Sequence, residues 1–202
     1  MDKIICVGKN YLKHALELGD AVPEEPTYFL KPPSCLLTIT KNNQIVELPA
    51  RAEVHHEIEL VFRIQNDNGK LKLSHYTFGL DLTMRDLQTT LKKEGQPWEK
   101  AKVFKNAAIL GDWRECDSLD EVLETPFELL VNGKPKQKAM GLDMRWKPDF
   151  LLQDLPKWFP ICDNDLMFTG TPEGVGPLRT GDVVEVAGGN IEYIFKCGPA
   201  HG

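Results

Sequence analysis

Fourteen prolines and sixteen glycines are spread along the whole length of this 202-residue chain, and that punctuation constrains its fold more than any other feature. Proline interrupts helices and central strands, and glycine weakens both. What remains between the breaks is a series of short runs rich in β-branched and aromatic residues. The expectation is an α+β fold, predominantly β, with a few short helices. The length suits a single domain over residues 1–202, and neither an internal repeat nor a low-complexity segment divides it.

Hydrophobic residues at 42% and charged residues at 27% are the composition of a chain that buries a core. The net charge of −6, from 24 basic and 30 acidic residues, gives no general attraction for phosphate backbones, so a nucleic-acid partner is not expected. No apolar run reaches the roughly 18 residues that span a bilayer. Met1–Gly8 is too briefly apolar for a secretory signal, so a cytoplasmic location without membrane partners is expected. The five cysteines (Cys6, Cys35, Cys116, Cys162 and Cys197) are odd in number and form no Cys-x-x-Cys, which reads as free thiols in a reducing compartment. Five histidines occur without a His-Glu-x-x-His, so a zinc-protease reading fails.

Along the chain, strands are expected at Ile4–Val7, Tyr28–Leu30, Phe78–Leu82, Leu166–Thr169, Val183–Val186 and Ile191–Cys197. Ser34–Thr40 and Gln44–Leu48 read as a hairpin around Lys41-Asn42-Asn43, and Phe127–Val131 as the first arm of another turning at Asn132-Gly133. Val54–Ile64 is the clearest strand, with Val54, His56, Ile58, Leu60, Phe62 and Ile64 on one face and His55, Glu57, Glu59, Val61 and Arg63 on the other. Asn10–Leu18 reads as a brief helix, and Lys147–Leu155 as an ambiguous one. Thr83–Asp86 has the spacing of a capping box, opening a helix that ends near Glu94 before Gly95.

Glu57 and Glu59, two apart on a strand, aim at one point. Two carboxylates about 5 Å apart repel by roughly 3 kcal/mol at an effective dielectric of 20, so they need a partner unless water bathes them. A solvated polar face of an edge strand is the plain alternative. Asp81 lies inside the apolar Phe78–Leu82, where a carboxylate either reaches water at a strand end or pairs with something positive. A hard divalent cation (Mg²⁺, Mn²⁺ or Ca²⁺) held by Glu57, Glu59 and Asp81 answers both problems, and all-oxygen ligands suit such an ion better than zinc. Three protein ligands would leave open positions for a chelating substrate and a water.

At this point the residues resemble the fumarylacetoacetate hydrolase superfamily, in particular its small single-domain members acting on acylpyruvates and oxaloacetate. Six blocks in order carry the likeness: Cys6–Glu17, Phe29–Pro32, His55–Leu60, Leu80–Gln88, Gly95–Phe104 and Thr169–Pro177. The resemblance implies a rolled mixed β-sheet fold and, usually, a homodimer. It places metal ligands on Glu57, Glu59 and Asp81. It places a catalytic dyad on His14 and Glu17, which a helical turn sets side by side, and an active-site lysine on Lys102. It puts Arg85 and Gln88 on the pocket wall. The Thr169–Thr171 turn has backbone N–H groups suited to a substrate carboxylate, which brings Gly170 and Thr171 to the pocket. Lys31 is a further candidate there, with a plain surface role equally open. Residues of about 8–26 correspond to a mobile lid with few apolar anchors. Lys105 and Ala108-Ile109 stand where many relatives have Asp and Cys-Pro, and Met140–Pro156 diverges, so these segments are expected to shape the pocket wall.

The implied chemistry is metal-dependent hydrolysis of the C–C bond of a 3-acylpyruvate such as acetylpyruvate or fumarylpyruvate. His14 would activate water, and Lys102 would stabilise the departing pyruvate enolate. Decarboxylation of oxaloacetate passes through the same enolate. Keto–enol tautomerisation of oxaloacetate, needing a base but no water, is one alternative; a metal- and oxoacid-binding protein without turnover is another.

Overall fold

The computed structural model describes residues 1–17, 19, 23–50 and 52–200. It is mostly β with short helices, and its largest sheet curls into a half-barrel. That sheet has eight strands, running in the order Thr27–Lys31, Ile4–Gly8, Leu166–Phe168, Ile58–Asp67, Lys70–Asp81, Ala108–Leu110 and Leu36–Thr38, with Arg114–Glu115 joined to Lys70–Asp81. A second sheet orders Lys134–Met140, Pro126–Val131, Val183–Gly188, Ile191–Pro199 and Gln44–Leu48. A small third sheet pairs Val54–His56 with Gly176–Pro177 on one side and Thr83–Met84 on the other.

The main core lies between the two large sheets, where Phe78 of one stacks on Phe127 of the other at 5.0 Å between ring centroids. That approach needs Gly188, because a Cβ there would fall 2.4 Å from the Phe78 ring. No helix among the described residues is long and apolar enough to cross a membrane. Cys6, Cys35 and Cys197 are buried, Cys116 is half-buried and Cys162 is exposed.

Several local expectations hold for their stated reasons. Asn132 and Gly133 both take positive φ, the requirement of a two-residue hairpin turn, and the returning strand is Lys134–Met140. The helix Arg85–Lys93 ends where expected. Gly95 takes φ +64°, while the Gly95 and Gln96 amides donate back to Lys92 and Leu91, which closes the last turn. Pro148 opens the helix Pro148–Asp154 at its first position.

Others are corrected. Leu36–Thr38 and Gln44–Leu48 do not form a hairpin. The first pairs in parallel with Ala108–Leu110 and the second in parallel with Ile191–Pro199, so the intervening turn carries the chain from one sheet to the other. The expected strand Val54–Ile64 is interrupted at Glu57, its two parts belonging to different sheets. Phe78–Leu82 is the end of a longer strand, Lys70–Asp81, paired with Ile58–Asp67 through a turn at Asn68-Gly69. No capping box opens the helix at Arg85. Met84 is the N-cap without a side-chain bond, and the Thr83 hydroxyl accepts from Lys102 Nζ instead.

Candidate active site

The site lies where the strand interruption meets the end of Lys70–Asp81. The Asp81 amide donates to the Glu57 carbonyl at 2.9 Å, fixing the two acidic residues side by side. Glu59, two residues on, points the same way from within Ile58–Asp67. Glu57, Glu59 and Asp81 are buried, and each offers an oxygen within 4.8 Å of the others. This is the convergence expected of period-two spacing, with the third carboxylate supplied by the neighbouring strand.

Three buried or half-buried cations surround the triad. Lys102, the last residue of the short helix Glu99–Lys102, donates to Glu57 Oε2 at 2.9 Å, to Asp81 Oδ2 at 2.6 Å and to Thr83 Oγ1 at 2.7 Å. Arg85 pairs with Glu57 Oε1 and donates to Gln88 Oε1 at 2.6 Å. Lys31 lies 2.8 Å from Asp81 Oδ1, an ion pair whose angle falls outside the hydrogen-bond range. Burial favours the neutral form of Glu57, but Lys102 and Arg85 outweigh it and hold this carboxyl well below the usual range. Among the described residues, Glu59 has only the Gly170 amide, at 2.7 Å, as a direct hydrogen-bond donor. Burial first, then the charges of Asp81 and Glu57, push it well above the usual range. Burial works against the Lys102 ammonium, yet Asp81 and Glu57 keep it above the ordinary lysine value.

A Glu59 carboxyl disfavoured as an anion by burial and by its two acidic neighbours is what a cation would relieve. The donor set is entirely oxygen, so the three residues fit a hard divalent ion such as Mg²⁺ or Mn²⁺.

Over the triad lies the helix Leu12–Glu17. His14 is buried beneath it, and its Nδ1 is 3.3 Å from Glu17 Oε2. Glu17 also accepts from the Gly174 amide at 3.1 Å, which seats the dyad against the loop after Thr171. Burial lowers the His14 pKa below its ordinary 6.5, against the opposing charges of Glu57 and Glu17. The imidazole is therefore neutral at pH 7, with Nε2 free to accept a proton when Nδ1–H faces Glu17.

His14, Glu57, Glu59, Asp81, Arg85, Gln88, Lys102 and Thr171 line one cavity of about 40 Å³, joined by Phe29, Trp98 and Lys92. Two candidates sit elsewhere. The Gly170 N–H holds the Glu59 carboxylate rather than facing the cavity. Lys31 is fully buried behind Asp81, where its ammonium also donates to the carbonyls of Leu82, Lys102 and Ala107. Its role is to fix the site from below, not to line the pocket.

The divergent Met140–Pro156 segment does not line the cavity either; it seats the root of the covering helix. Asn10 Nδ2 donates to the carbonyls of Trp146 and Thr169, Asn10 Oδ1 accepts from the Trp146 amide, and Tyr11 bridges to Met144. Asn10, Tyr11 and Ala15 are buried, so the first half of the expected lid is well anchored. Leu18, Asp20, Ala21 and Val22 of that segment lie outside the described residues. Lys105, the other departure, pairs with Glu47 at 2.6 Å and is exposed.

Sequence reasoning missed Asn10, Thr83 and Gln137. Asn10 stands two residues before the helix Leu12–Glu17 and inside the first motif block, which is a usable signal. Thr83 was read as a cap because its spacing to Asp86 fits one. Gln137 lies in a lysine-rich strand, and nothing local marks it as buried.

The sequence profile of the fumarylacetoacetate (FAA) hydrolase C-terminal family matches residues 3–195. The chain is 38% identical over 195 residues to the oxaloacetate tautomerase YcgM of Escherichia coli (strain K12), covering 92% of this chain and 88% of that protein. It is 35% identical over 200 residues to the mitochondrial oxaloacetate tautomerase FAHD1 of Arabidopsis thaliana, covering 90% and 84%. Among solved structures, fumarylpyruvate hydrolase from Pseudomonas aeruginosa in complex with Mn²⁺ and pyruvate superposes with a TM-score of 0.86 at 29% identity, over 98% of this chain and 90% of that one. The chain belongs to the fumarylacetoacetate hydrolase family.

Proposed function

We propose that this protein is a metal-dependent enzyme that interconverts the keto and enol forms of oxaloacetate. The observation that carries the reading is that a buried His14, paired with Glu17, shares one small cavity with Lys102 and the carboxylate triad. Keto–enol exchange needs a base for the C3 proton, a means of stabilising the enolate and a proton for its oxygen, and it needs no attacking water. Glu57, Glu59 and Asp81 would hold a Mg²⁺ or Mn²⁺, which would supply Lewis acidity for the developing enolate.

This chain's residues do the rest. Glu17 orients the imidazole so that His14 Nε2 takes the C3 proton. As that C–H bond breaks, its electrons pass to the 2-oxo oxygen. The Lys102 ammonium, held by Glu57, Asp81 and Thr83, places positive charge beside the triad, where that negative charge develops. His14 Nε2–H then passes that proton to the oxygen, directly or through a solvent water, which gives the enol and restores the base; the reverse sequence returns the ketone. Arg85 and Gln88, hydrogen-bonded to each other, hold the substrate carboxylate end. The naming of the two relatives as oxaloacetate tautomerases supports this choice of substrate.

Hydrolysis of 3-acylpyruvates, which the resemblance implied first, is the second reading. The His14–Glu17 pair favours it, because the same base could activate a water, and the Pseudomonas structure supports it at lower identity. The test follows the ultraviolet absorbance of enol-oxaloacetate with Mg²⁺ or Mn²⁺, with acetylpyruvate and fumarylpyruvate assayed in parallel. Faster ketonisation than in buffer plus metal is the expected result. Acylpyruvate cleavage without that acceleration would move the protein to the second reading.

A further inference from the structure

Gln137 belongs to Lys134–Met140, the edge strand of the second sheet, and no step above uses it. It is buried, and its one side-chain amide makes four hydrogen bonds. The oxygen accepts from the Ile58 amide at 3.1 Å and from His56 Nδ1 at 2.8 Å. The nitrogen donates to Thr171 Oγ1 at 2.8 Å and to the Pro172 carbonyl at 2.9 Å. A carboxamide has two acceptor positions and two hydrogens, so all its capacity is used. Its orientation is forced, because the Ile58 N–H can only donate and the Pro172 carbonyl can only accept. His56 must then carry its proton on Nδ1.

The four partners fall into two functional pairs. His56 and Ile58 are the chain neighbours of Glu57, at the point where the strand is interrupted and passes from one sheet to another. Thr171 lines the cavity, and Thr171 and Pro172 follow Gly170, whose amide holds Glu59. We propose that Gln137 is a positioning residue for this site, setting Glu57 through its two neighbours and the cavity wall through Thr171. The inference rests on the metal-dependent reading above. It makes the second sheet, otherwise remote from the chemistry, the element that fixes the spacing between metal ligands and substrate wall.

The experiment measures Mn²⁺ affinity, and then affinity for oxalate in the presence of Mn²⁺, by calorimetry. Gln137→Met keeps the length and removes all four bonds. Val186→Ala loosens the core of the same sheet without touching the amide, and serves as the stability control. Loss of a supporting partner to a metal ligand typically costs about 10–100-fold in metal affinity, and Gln137→Met should fall in that range and lose oxalate affinity as well. Val186→Ala should hold both affinities near wild type even if its unfolding midpoint drops as far. Wild-type affinities in Gln137→Met, or equal losses in Val186→Ala at equal loss of stability, overturn the proposal. If Gln137→Met does not fold, the isosteric Gln137→Glu keeps an oxygen for Ile58 and His56 but has no hydrogens for Thr171 and Pro172. It should then lose oxalate affinity by more than Mn²⁺ affinity, and the opposite order overturns the inference. If wild-type protein binds neither Mn²⁺ nor oxalate, the metal-dependent reading falls and takes this one with it; if wild type binds both and the variants match it, only the role of Gln137 is lost.

Discussion

Lys31 Nζ lies 2.8 Å from Asp81 Oδ1, and neither side chain reaches solvent. Lys102 grips the other oxygen of the same carboxylate, so Asp81 is held from both sides. Removing one partner of a buried ion pair leaves an uncompensated charge and costs about 3–5 kcal/mol. Lys31→Met should therefore destabilise the protein by about that amount in urea denaturation. Adding Asp81→Asn should recover part of the loss, because the carboxylate then balanced by Lys102 alone, which also serves Glu57, is gone. A single variant as stable as wild type would mean that Lys31 is not the counter-ion that its position implies.

Glu59 should separate metal binding from stability. Its folded pKa is raised, first by burial and then by Asp81 and Glu57. The sign follows: in protein without added metal, its contribution is present below the unfolded value of 4.5 and is lost as pH rises through the folded value. Glu59→Gln mimics the neutral form, so at neutral pH the metal-free variant should be at least as stable as wild type. Its Mn²⁺ affinity should fall by more than the roughly 10–100-fold typical of a lost supporting partner. Parallel thermal melts with and without Mn²⁺ check both halves, and a variant that Mn²⁺ stabilises as much as wild type would remove Glu59 from the ligand set.

His14 is predicted to matter for turnover and not for the metal. General-base assistance is worth about 10²–10⁴-fold, so His14→Ala should lose at least about 10²-fold in kcat/KM. Glu17→Gln should lose less, since it orients the base without touching substrate. Because burial lowers the His14 pKa, wild-type rate should persist through the ordinary histidine range and decline only below it. A rate that already halves above pH 7 on acidification would point to a different base.

Asp165 offers a pH effect distant from the chemistry. Its carboxylate accepts from the amides of Asp2, Lys3 and Cys162 and pairs with Lys3 Nζ at 2.9 Å, tying the N-terminal strand to Leu166–Phe168. Burial raises its pKa, but the Lys3 bond and the three amides outweigh that and hold it below its ordinary 3.8. A depressed carboxylate stabilises the fold above its unfolded pKa, and that stability is lost as pH falls through the folded value. Asp165→Asn should cost about 1.5–3 kcal/mol at pH 7, the range for hydrogen bonds to a charged group. The gap from wild type should shrink as denaturation is repeated at pH values falling below the ordinary 3.8, where the wild-type carboxylate itself protonates. A gap independent of pH would assign the effect to packing.

What the sequence determined by itself was local and periodic. Alternation along residues 54–64 put Glu57 and Glu59 on one face, the Asn132-Gly133 pair specified its hairpin, and Gly95 ended its helix. Those outcomes depend on backbone geometry within a few residues. The Asn68-Gly69 pair carries the same turn signal between Ile58–Asp67 and Lys70–Asp81. Family likeness supplied His14, Glu17 and Lys102, which no local signal separates from surface residues. Only the tertiary structure decided the rest. The run 34–48 reads as a hairpin until each arm finds a better partner in a different sheet, because strand pairing is settled by long-range packing and not by the turn alone. Lys31, a lone charge before two prolines, and Gln137, in a lysine-rich run, look like surface residues. Their burial follows from the Asp81 carboxylate, and from the Ile58 amide and Pro172 carbonyl, that they meet across the fold. A buried charge or unpaired amide is costly, so those distant partners, absent from any local pattern, fix where these two side chains go.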